Sequence, residues 1–196
     1  MKGHFTTSEK VNNMQILFLT LMKIYSPSDE GIYMDLMKCF AEKGHKVSII
    51  SPLEKKEAGE EEVISAHNIS LVRCKTGNLF GVGMLEKGIS QMRLASQYLK
   101  AVYKYFPETK FDLILYSTPP ISLAAVVEKI KKSTDAATYL LLKDIFPQNA
   151  VDIGILKPFM AKALFRNKEK RLYEISDYIG CMSPANVDYL LKHNEI

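Results

Sequence analysis

Lys143 and Asp144 stand side by side after an apolar run, Thr138 to Leu142, and just before Pro147. A carboxylate at a strand end can accept a hydrogen bond from a substrate hydroxyl or serve as a general base. Lys143 is a candidate substrate contact beside it. Adjacent residues of an extended segment point to opposite sides, so one of the two is expected to face a cleft. A surface salt link is the alternative reading. Ser117 and Thr118 end another apolar run, ahead of Pro119 and Pro120. Their hydroxyls could hydrogen-bond a sugar, or Thr118 could cap the next helix while the prolines start it.

Gly31 closes the loop from Met22 and opens a helical pattern. Free N–H groups and the dipole at a helix N-terminus favour an anion such as a diphosphate. The other reading has Gly31 easing the turn, with Ser28 or Asp29 as the cap. A single glycine is not G-x-G-x-x-G, so a nicotinamide cofactor is not expected. The segment Lys157 to Arg171 holds six basic residues against Glu169, together with Phe159, Met160, Leu164 and Phe165. That is the composition of a helix on an anionic bilayer, with Lys162, Arg166, Lys168 and Arg171 as membrane contacts. Each basic group near such a surface contributes about 1 kcal/mol. A helix that packs its aromatic side on a sheet and solvates its charges has the same composition. A second basic helix, with Lys87, Arg93, Lys100 and Lys104, adds modestly to the membrane case.

The elements that must position these residues alternate. Gln15 to Leu21 is a continuous apolar run, as in a strand buried on both faces. Ile32 to Lys43 has helical spacing, with Tyr33, Leu36, Met37, Phe40 and Ala41 on one face, and Gly44 ends it. Strands follow at Lys46 to Ser51, closed by Pro52, and at Ile69 to Arg73, across a charged stretch, Leu53 to His67, that reads as a solvated loop. A long helix from Leu85 to Phe106 is expected to face the core with Leu85, Ile89, Met92, Leu99, Val102 and Phe106. Asp112 to Ser117 is a strand, and the helix after it buries Leu123, Val126, Val127 and Ile130. Further strands at Thr138 to Leu142 and Tyr178 to Met182, with helices at Pro158 to Ser176 and from Pro184 onward, complete the pattern. This order predicts an α/β fold, a doubly wound, mainly parallel Rossmann-like sheet of six strands. Ligands of such sheets bind at the C-terminal strand ends. His45 therefore lies on the wrong end and is expected to be structural, whereas His67 could swing from its loop toward a cleft.

The 196 residues fit one domain, over Met14 to Ile196, with a polar leader or tail at residues 1–13. No apolar run reaches ~18 residues, so no transmembrane helix is expected. Cys39, Cys74 and Cys181 lie too far apart for a zinc motif or a disulfide framework and read as small buried residues in a reducing cytosol. The net charge of +4 admits an anionic ligand or a membrane surface. Nucleic acid is not expected, because no binding motif or aromatic stacking platform accompanies the basic residues. Hydrolase, metalloprotease and NTPase motifs are also missing, and neither a metal nor a cofactor is predicted.

The runs M-Q-I-L-F-L-T-L and G-I-Y-M-D-L-M-K-C-F-A-E-K-G-H-K-V-S-I-I-S-P are followed in order by Y-S-T-P-P, K-D-I-F-P-Q and S-D-Y-I-G-C-M-S. From about Met14 to its end the chain thereby resembles the N-terminal domain of GT-B glycosyltransferases of the family 4 type, such as bacterial enzymes of capsular polysaccharide and O-antigen synthesis. The resemblance implies retaining, metal-independent transfer of a sugar from a nucleotide-sugar donor to a lipid-linked or other glycan acceptor. It implies a cytoplasmic enzyme, peripheral on the inner face of the membrane, whose acceptor is held by this domain and whose donor is held mostly by a second one. Gly31 then matches the turn near the donor phosphates, and Asp144 the acidic residue after the fifth strand. Ser28-Asp29-Glu30-Gly31 replaces the paired glycines of many relatives, and Ser117 and Thr118 stand where many carry a histidine. The expected function is the acceptor-binding half of such an enzyme, inactive alone. The alternative is a non-enzymatic membrane-binding subunit that recruits a separate catalytic half, and a third reading is half of a nucleotide-sugar epimerase.

Overall fold

The computed structural model describes residues 13–118, 120–145, 148, 154, 157, 159 and 165–193. The chain opens with β1 (Gln15–Leu19), α1 (Ile32–Glu42) and β2 (Lys46–Glu54). Next come β3 (Val63–Ala66), β4 (Ile69–Thr76) and α2 (Met84–Tyr105). β5 (Leu113–Ser117) leads through a 3-10 turn, Ile121–Leu123, into α3 (Ala124–Thr134). β6 (Ala137–Leu142), α4 (Arg166–Glu174), β7 (Tyr178–Cys181) and α5 (Pro184–His193) follow. The seven strands form one sheet in the order β3-β4-β2-β1-β5-β6-β7, parallel except for β3 against β4.

Burial explains the continuous apolar runs. Ile16, Leu17, Phe18 and Leu19 of β1 are all 0% exposed, because successive side chains enter opposite faces and both faces are covered. Leu17 and Leu19 join Leu94, Tyr98 and Val102 of α2 and Val126, Val127 and Ile130 of α3 in one core layer. Ile16 and Phe18 join Met34 and Met37 of α1 in the other. The apolar positions expected on the helix after β5 are all buried, Leu123 in the 3-10 turn and Val126, Val127 and Ile130 in α3.

Three sequence expectations change. The charged stretch before His67 contains a strand: β3 pairs antiparallel with β4, Val63 opposite Val72 and Ala66 opposite Ile69. The connection is His67-Asn68, at φ 47 and 64, so both residues take the left-handed conformation of a tight hairpin turn. The sheet therefore has seven strands rather than six. Second, β2 does not stop at Pro52 but runs to Glu54. The Ile50 carbonyl accepts from the Thr20 amide on the β1 side. Two residues later Pro52 faces the same side, where β1 has already ended at Leu19, so its missing N–H interrupts no ladder bond. Third, the buried face of α2 is Ser90, Leu94, Tyr98, Ala101 and Val102. Leu85, Ile89 and Met92, predicted to face the core, are exposed.

The far end of the sheet is tied by side chains. Asp177 accepts from the Thr138 amide and hydroxyl, both at 2.8 Å, and from the Lys131 ammonium at 2.7 Å. His45 is buried and its Nδ1 accepts from the Met14 amide at 3.2 Å, the structural role expected of it. Cys74 is buried, whereas Cys39 is exposed on α1 and Cys181 is half-buried. No helix among the described residues is long and apolar enough to cross a membrane.

Candidate functional site

From β1 the strand order proceeds through β2 to β4 on one side and through β5 to β6 and β7 on the other. The reversal leaves a crevice at the C-terminal ends of β1 and β5, the place where open α/β sheets bind ligands. A cleft of about 400 Å³ lies there. Its walls come from residues 20–23 after β1, Tyr33 of α1, Phe80 before α2, Ser117 and Thr118 at the end of β5, and Lys143 and Asp144 after β6. Four of the five residues singled out for chemistry therefore meet at one site. Lys143 and Asp144 both line it, rather than one of the two, and neither forms an ion pair among the described residues.

The floor is a chain of hydroxyls. The buried Tyr98 phenol donates to the Thr20 carbonyl at 2.7 Å. The Thr20 hydroxyl accepts from the Met22 amide at 3.0 Å and lies 3.3 Å from the Ser117 hydroxyl. Tyr33 continues the row. Burial raises its phenol above the usual tyrosine range, the Ser117 hydroxyl pulls it down, and the carboxylate of Asp144 raises it further. Thr118 is 3% exposed, yet its hydroxyl has no hydrogen-bond partner among the described residues. The helical turn after it has Pro120 as its N-cap residue and no side-chain cap bond, so Thr118 does not cap it. A buried hydroxyl without a partner in the wall of a cleft is a group that a ligand can satisfy.

Gly31 is the N-cap residue of α1 and stands beside the cleft without lining it. No side chain caps this helix, and Asp29 instead accepts from the Tyr25 amide at 2.7 Å. The first N–H groups of α1 are thus left for an anion. At φ 134 and ψ 159 the Gly31 backbone is in a region that side-chain-bearing residues avoid, although an added Cβ would meet nothing within 4 Å. Gly31→Ala is therefore expected to cost about 1–3 kcal/mol through backbone strain alone. Urea unfolding checks it, and a loss below the scatter of exposed-surface substitutions contradicts it.

Glu54, in the stretch read as a solvated loop, holds the cleft together. Its side chain is buried, with one oxygen 2.7 Å from the Lys23 ammonium and the other accepting from the amides of Leu79 at 2.5 Å and Phe80 at 2.8 Å. Lys23 and Phe80 both line the cleft, with the ammonium 5.9 Å from the centre of the Phe80 ring. The signal in the sequence was slight: Glu54 is the first acid after the apolar run of β2. Tyr33 was read as a core residue, and its place two residues after Gly31 is what brings its phenol to the cleft.

Other candidates lie elsewhere. His67 is in the β3-β4 turn at the opposite end of the sheet, because the hairpin fixes it there. Lys162 is outside the described residues. Arg166 bonds the buried Glu169 at 2.6 Å and the His193 carbonyl at 2.9 Å. Burial raises the Glu169 carboxyl despite Arg166 and the Tyr173 hydroxyl at its side. Arg171 is paired with Glu128 of α3. Both arginines thus bind this helix to the domain, while Lys168 is exposed.

No protein-family model and no curated protein sequence matches the chain. Solved structures do. Sucrose-phosphate synthase from Thermosynechococcus elongatus superposes with a TM-score of 0.58 at 13% identity, over 91% of this chain and 45% of that one. An α,α-trehalose-phosphate synthase (UDP-forming) from Burkholderia vietnamiensis gives 0.59 at 10% identity, over 91% and 43%. An Arabidopsis thaliana UGT protein complexed with UDP-L-rhamnose gives 0.55 at 13% identity, over 93% and 49%. The chain spans about half the length of each. The fold is that of a Rossmann-like half of a GT-B glycosyltransferase.

Proposed function

We propose that this chain is the acceptor-side half of a retaining glycosyltransferase that moves a sugar from a nucleotide-sugar donor to a lipid-linked glycan. The observation that carries the reading is the cleft at the switch point, where the hydroxyls of Ser117, Thr118 and Tyr33 stand beside Lys143 and Asp144. Sugars are recognised through convergent hydroxyls and carboxylates, and a reacting acceptor hydroxyl needs an oxygen base within hydrogen-bond reach. Asp144 supplies that carboxylate and takes the acceptor proton. Lys143 contacts anionic groups, and the uncapped start of α1 at Gly31 meets the donor diphosphate. A cleft open on one side does not enclose a donor, so these residues alone do not transfer sugar.

Amide chemical-shift mapping of the labelled chain tests this with two probes, a UDP-hexose and an undecaprenyl-phosphate-sugar analogue with a short lipid. Shifts are expected at Gly31, Tyr33, Ser117, Thr118 and Asp144. Shifts confined to the opposite end of the sheet, around His67 and Lys110, would overturn the reading, as would rapid transfer by the chain alone.

Thr118→Val separates stability from binding. The isosteric change removes a buried hydroxyl that has no partner, so stability is expected to rise by about 1 kcal/mol. Acceptor binding is expected to weaken by about tenfold, the worth of one hydrogen bond. Calorimetric melting with and without the acceptor analogue measures both, and unchanged acceptor affinity sinks the role given to Thr118.

A further inference from the structure

At the starts of the strands, away from the cleft, the sheet carries polar groups on a face that is otherwise core. Ile50 and Val72 belong to the apolar layer packed with α2. Nearer the strand starts the same face carries Ser48 of β2 and Ser70 of β4, which are direct neighbours, and Ser65 of β3 stands opposite Ser70. The Ser65 and Ser70 hydroxyls are 3.0 Å apart. α2 does not reach this row. It ends at Tyr105, and the chain turns back through Phe106, whose carbonyl accepts from the Thr109 amide at 3.2 Å. Between the serines and that turn lies a groove of about 740 Å³, within the range of ligand sites and larger than the cleft at the switch point.

Ser48 separates this groove from an ordinary polar rim. It is 7% exposed and lines the groove, yet its hydroxyl takes part in no hydrogen bond among the described residues. A hydroxyl that folding has largely removed from water and left without a partner is satisfied by what enters the groove. The charge around it is mostly of one sign. Lys46 and Lys110 bring two ammonium groups and His67 an imidazole, against the single carboxylate of Glu108. None of these four is in an ion pair among the described residues.

These groups select a ligand class. An extended peptide is read by an unpaired strand edge, and β2 and β4 are paired on both sides. Single-stranded nucleic acid is read by a row of aromatic platforms, whereas the described lining holds one all-carbon ring, Phe106. Hydroxyl side chains both donate and accept, as the hydroxyls of a sugar do, and free ammonium groups pair with carboxylates or phosphates. We propose that this groove is a second, non-catalytic site that binds an acidic oligosaccharide. Ser48, Ser65 and Ser70 bond the hydroxyls of the chain, and Lys46 and Lys110 pair with its anionic groups. The groove lies at the opposite end of the sheet from Asp144, so its ligand is held and not transformed. It stands whether or not the cleft serves a glycosyltransferase.

Amide shift mapping and calorimetric titration with trigalacturonate test this without any transfer assay. Shifts are expected at Ser48, Asn68, Ser70, Thr109 and Lys110, and not at Thr118 or Asp144. Maltotriose, equal in length but uncharged, should bind about tenfold more weakly, and added salt should narrow the difference. Lys46→Gln with Lys110→Gln should lower trigalacturonate affinity by about tenfold and leave maltotriose binding as it was. Ser48→Ala should lower affinity for both by about threefold to tenfold, the range for one hydrogen bond. Its melting temperature should match the parent chain, because that hydroxyl has no partner to lose. No shift at the groove, or equal binding by Ser48→Ala, overturns the proposal. So does glucose 6-phosphate or inorganic phosphate binding as tightly as trigalacturonate, because the groove would then hold one anion rather than a chain. Trigalacturonate shifts at the groove, with silence at the cleft toward the UDP-hexose and the lipid analogue, would sustain this site and defeat the transferase reading. The reverse pattern would do the opposite.

Discussion

Glu54→Ala is expected to lower the free energy of unfolding by about 3–5 kcal/mol, the scale for removing one partner of a buried ion pair. The substitution strands the Leu79 and Phe80 amides and leaves the Lys23 ammonium without its nearest carboxylate oxygen. Burial pushes the Glu54 carboxyl up, but Lys23 and the two amides outweigh it and hold the group at about 2. A carboxyl held below its unfolded value, near 4.5, contributes stability above that value and loses it as the pH falls toward 2. The shift corresponds to about 3 kcal/mol across that window. Urea unfolding from pH 6 down to about 2.5 reads it directly. The parent chain should lose stability steeply, and Glu54→Gln should begin lower and fall less. Glu57, Glu61, Glu128 and Asp177 are also held below the usual range, and the difference between the two profiles reports Glu54 together with Glu57, which shares Lys23 with it. Glu169 works in the other direction, because burial raises it and its ionisation opposes folding as the pH climbs. Parallel profiles for the two chains would show that Glu54 does not hold the loops.

That a buried carboxylate held at about 2 sits in a stretch read as a charged loop shows what a single sequence conceals. Glu54 follows Leu53 and precedes Lys55, Lys56 and Glu57, and nothing in that composition separates a buried carboxylate from solvated neighbours. Its fate is set by the loop at residues 79 and 80, 25 positions away, whose amides close around it. β3 was hidden for a related reason. Val63 to Ala66 is short, follows three glutamates and lies at the sheet edge, where burial is partial and alternation is weak. The His67-Asn68 turn was the readable signal, since asparagine tolerates the left-handed conformation. Interior strands were legible because burial on both faces writes itself as unbroken apolar runs, as in β1 and β5.

The misreading of α2 is of another kind. Helical periodicity finds an apolar face but does not say which of two faces meets the sheet. Leu85, Ile89 and Met92 formed as good a stripe as Leu94 and Tyr98, and tertiary packing chose the second, while Val102, Leu99 and Phe106 of the expected stripe do meet the core. The cleft was legible in outline because strand ends follow from strand order. Ser117, Thr118, Lys143 and Asp144 each end an apolar run, so parallel pairing brings them together whatever their chemistry. Tyr33 was not, because its membership of the α1 stripe is real: it packs on Phe18 with ring centroids 5.5 Å apart while its hydroxyl reaches the site.

Tyr98→Ala is expected to cost about 3–5 kcal/mol, the range for emptying a buried aromatic site. Tyr98 is 0% exposed in a core layer that draws side chains from β1, β4, β5 and α3 as well as from α2, so no single side chain can close the gap. The more informative change is Tyr98→Phe. It keeps the ring and removes the bond to the Thr20 carbonyl, which should cost about 1–2 kcal/mol. Thr20 is where β1 becomes the first wall of the cleft, and its hydroxyl faces Ser117. Loosening that carbonyl should therefore spread into the site, with amide shifts at Met22 and Thr118 and weaker binding of the acceptor analogue. Leu94→Val is the control, since it also thins the core under α2 but touches no cleft residue through a hydrogen bond. It should lose comparable stability while leaving binding intact. Burial holds the Tyr98 phenol far above the ordinary tyrosine range, so it remains a donor at every pH at which the domain folds. The cost of Tyr98→Phe should thus be the same at pH 8 and at pH 5, in contrast to the acid-sensitive contribution of Glu54. Equal binding by Tyr98→Phe and Leu94→Val would show that the core and the cleft are not joined through Thr20.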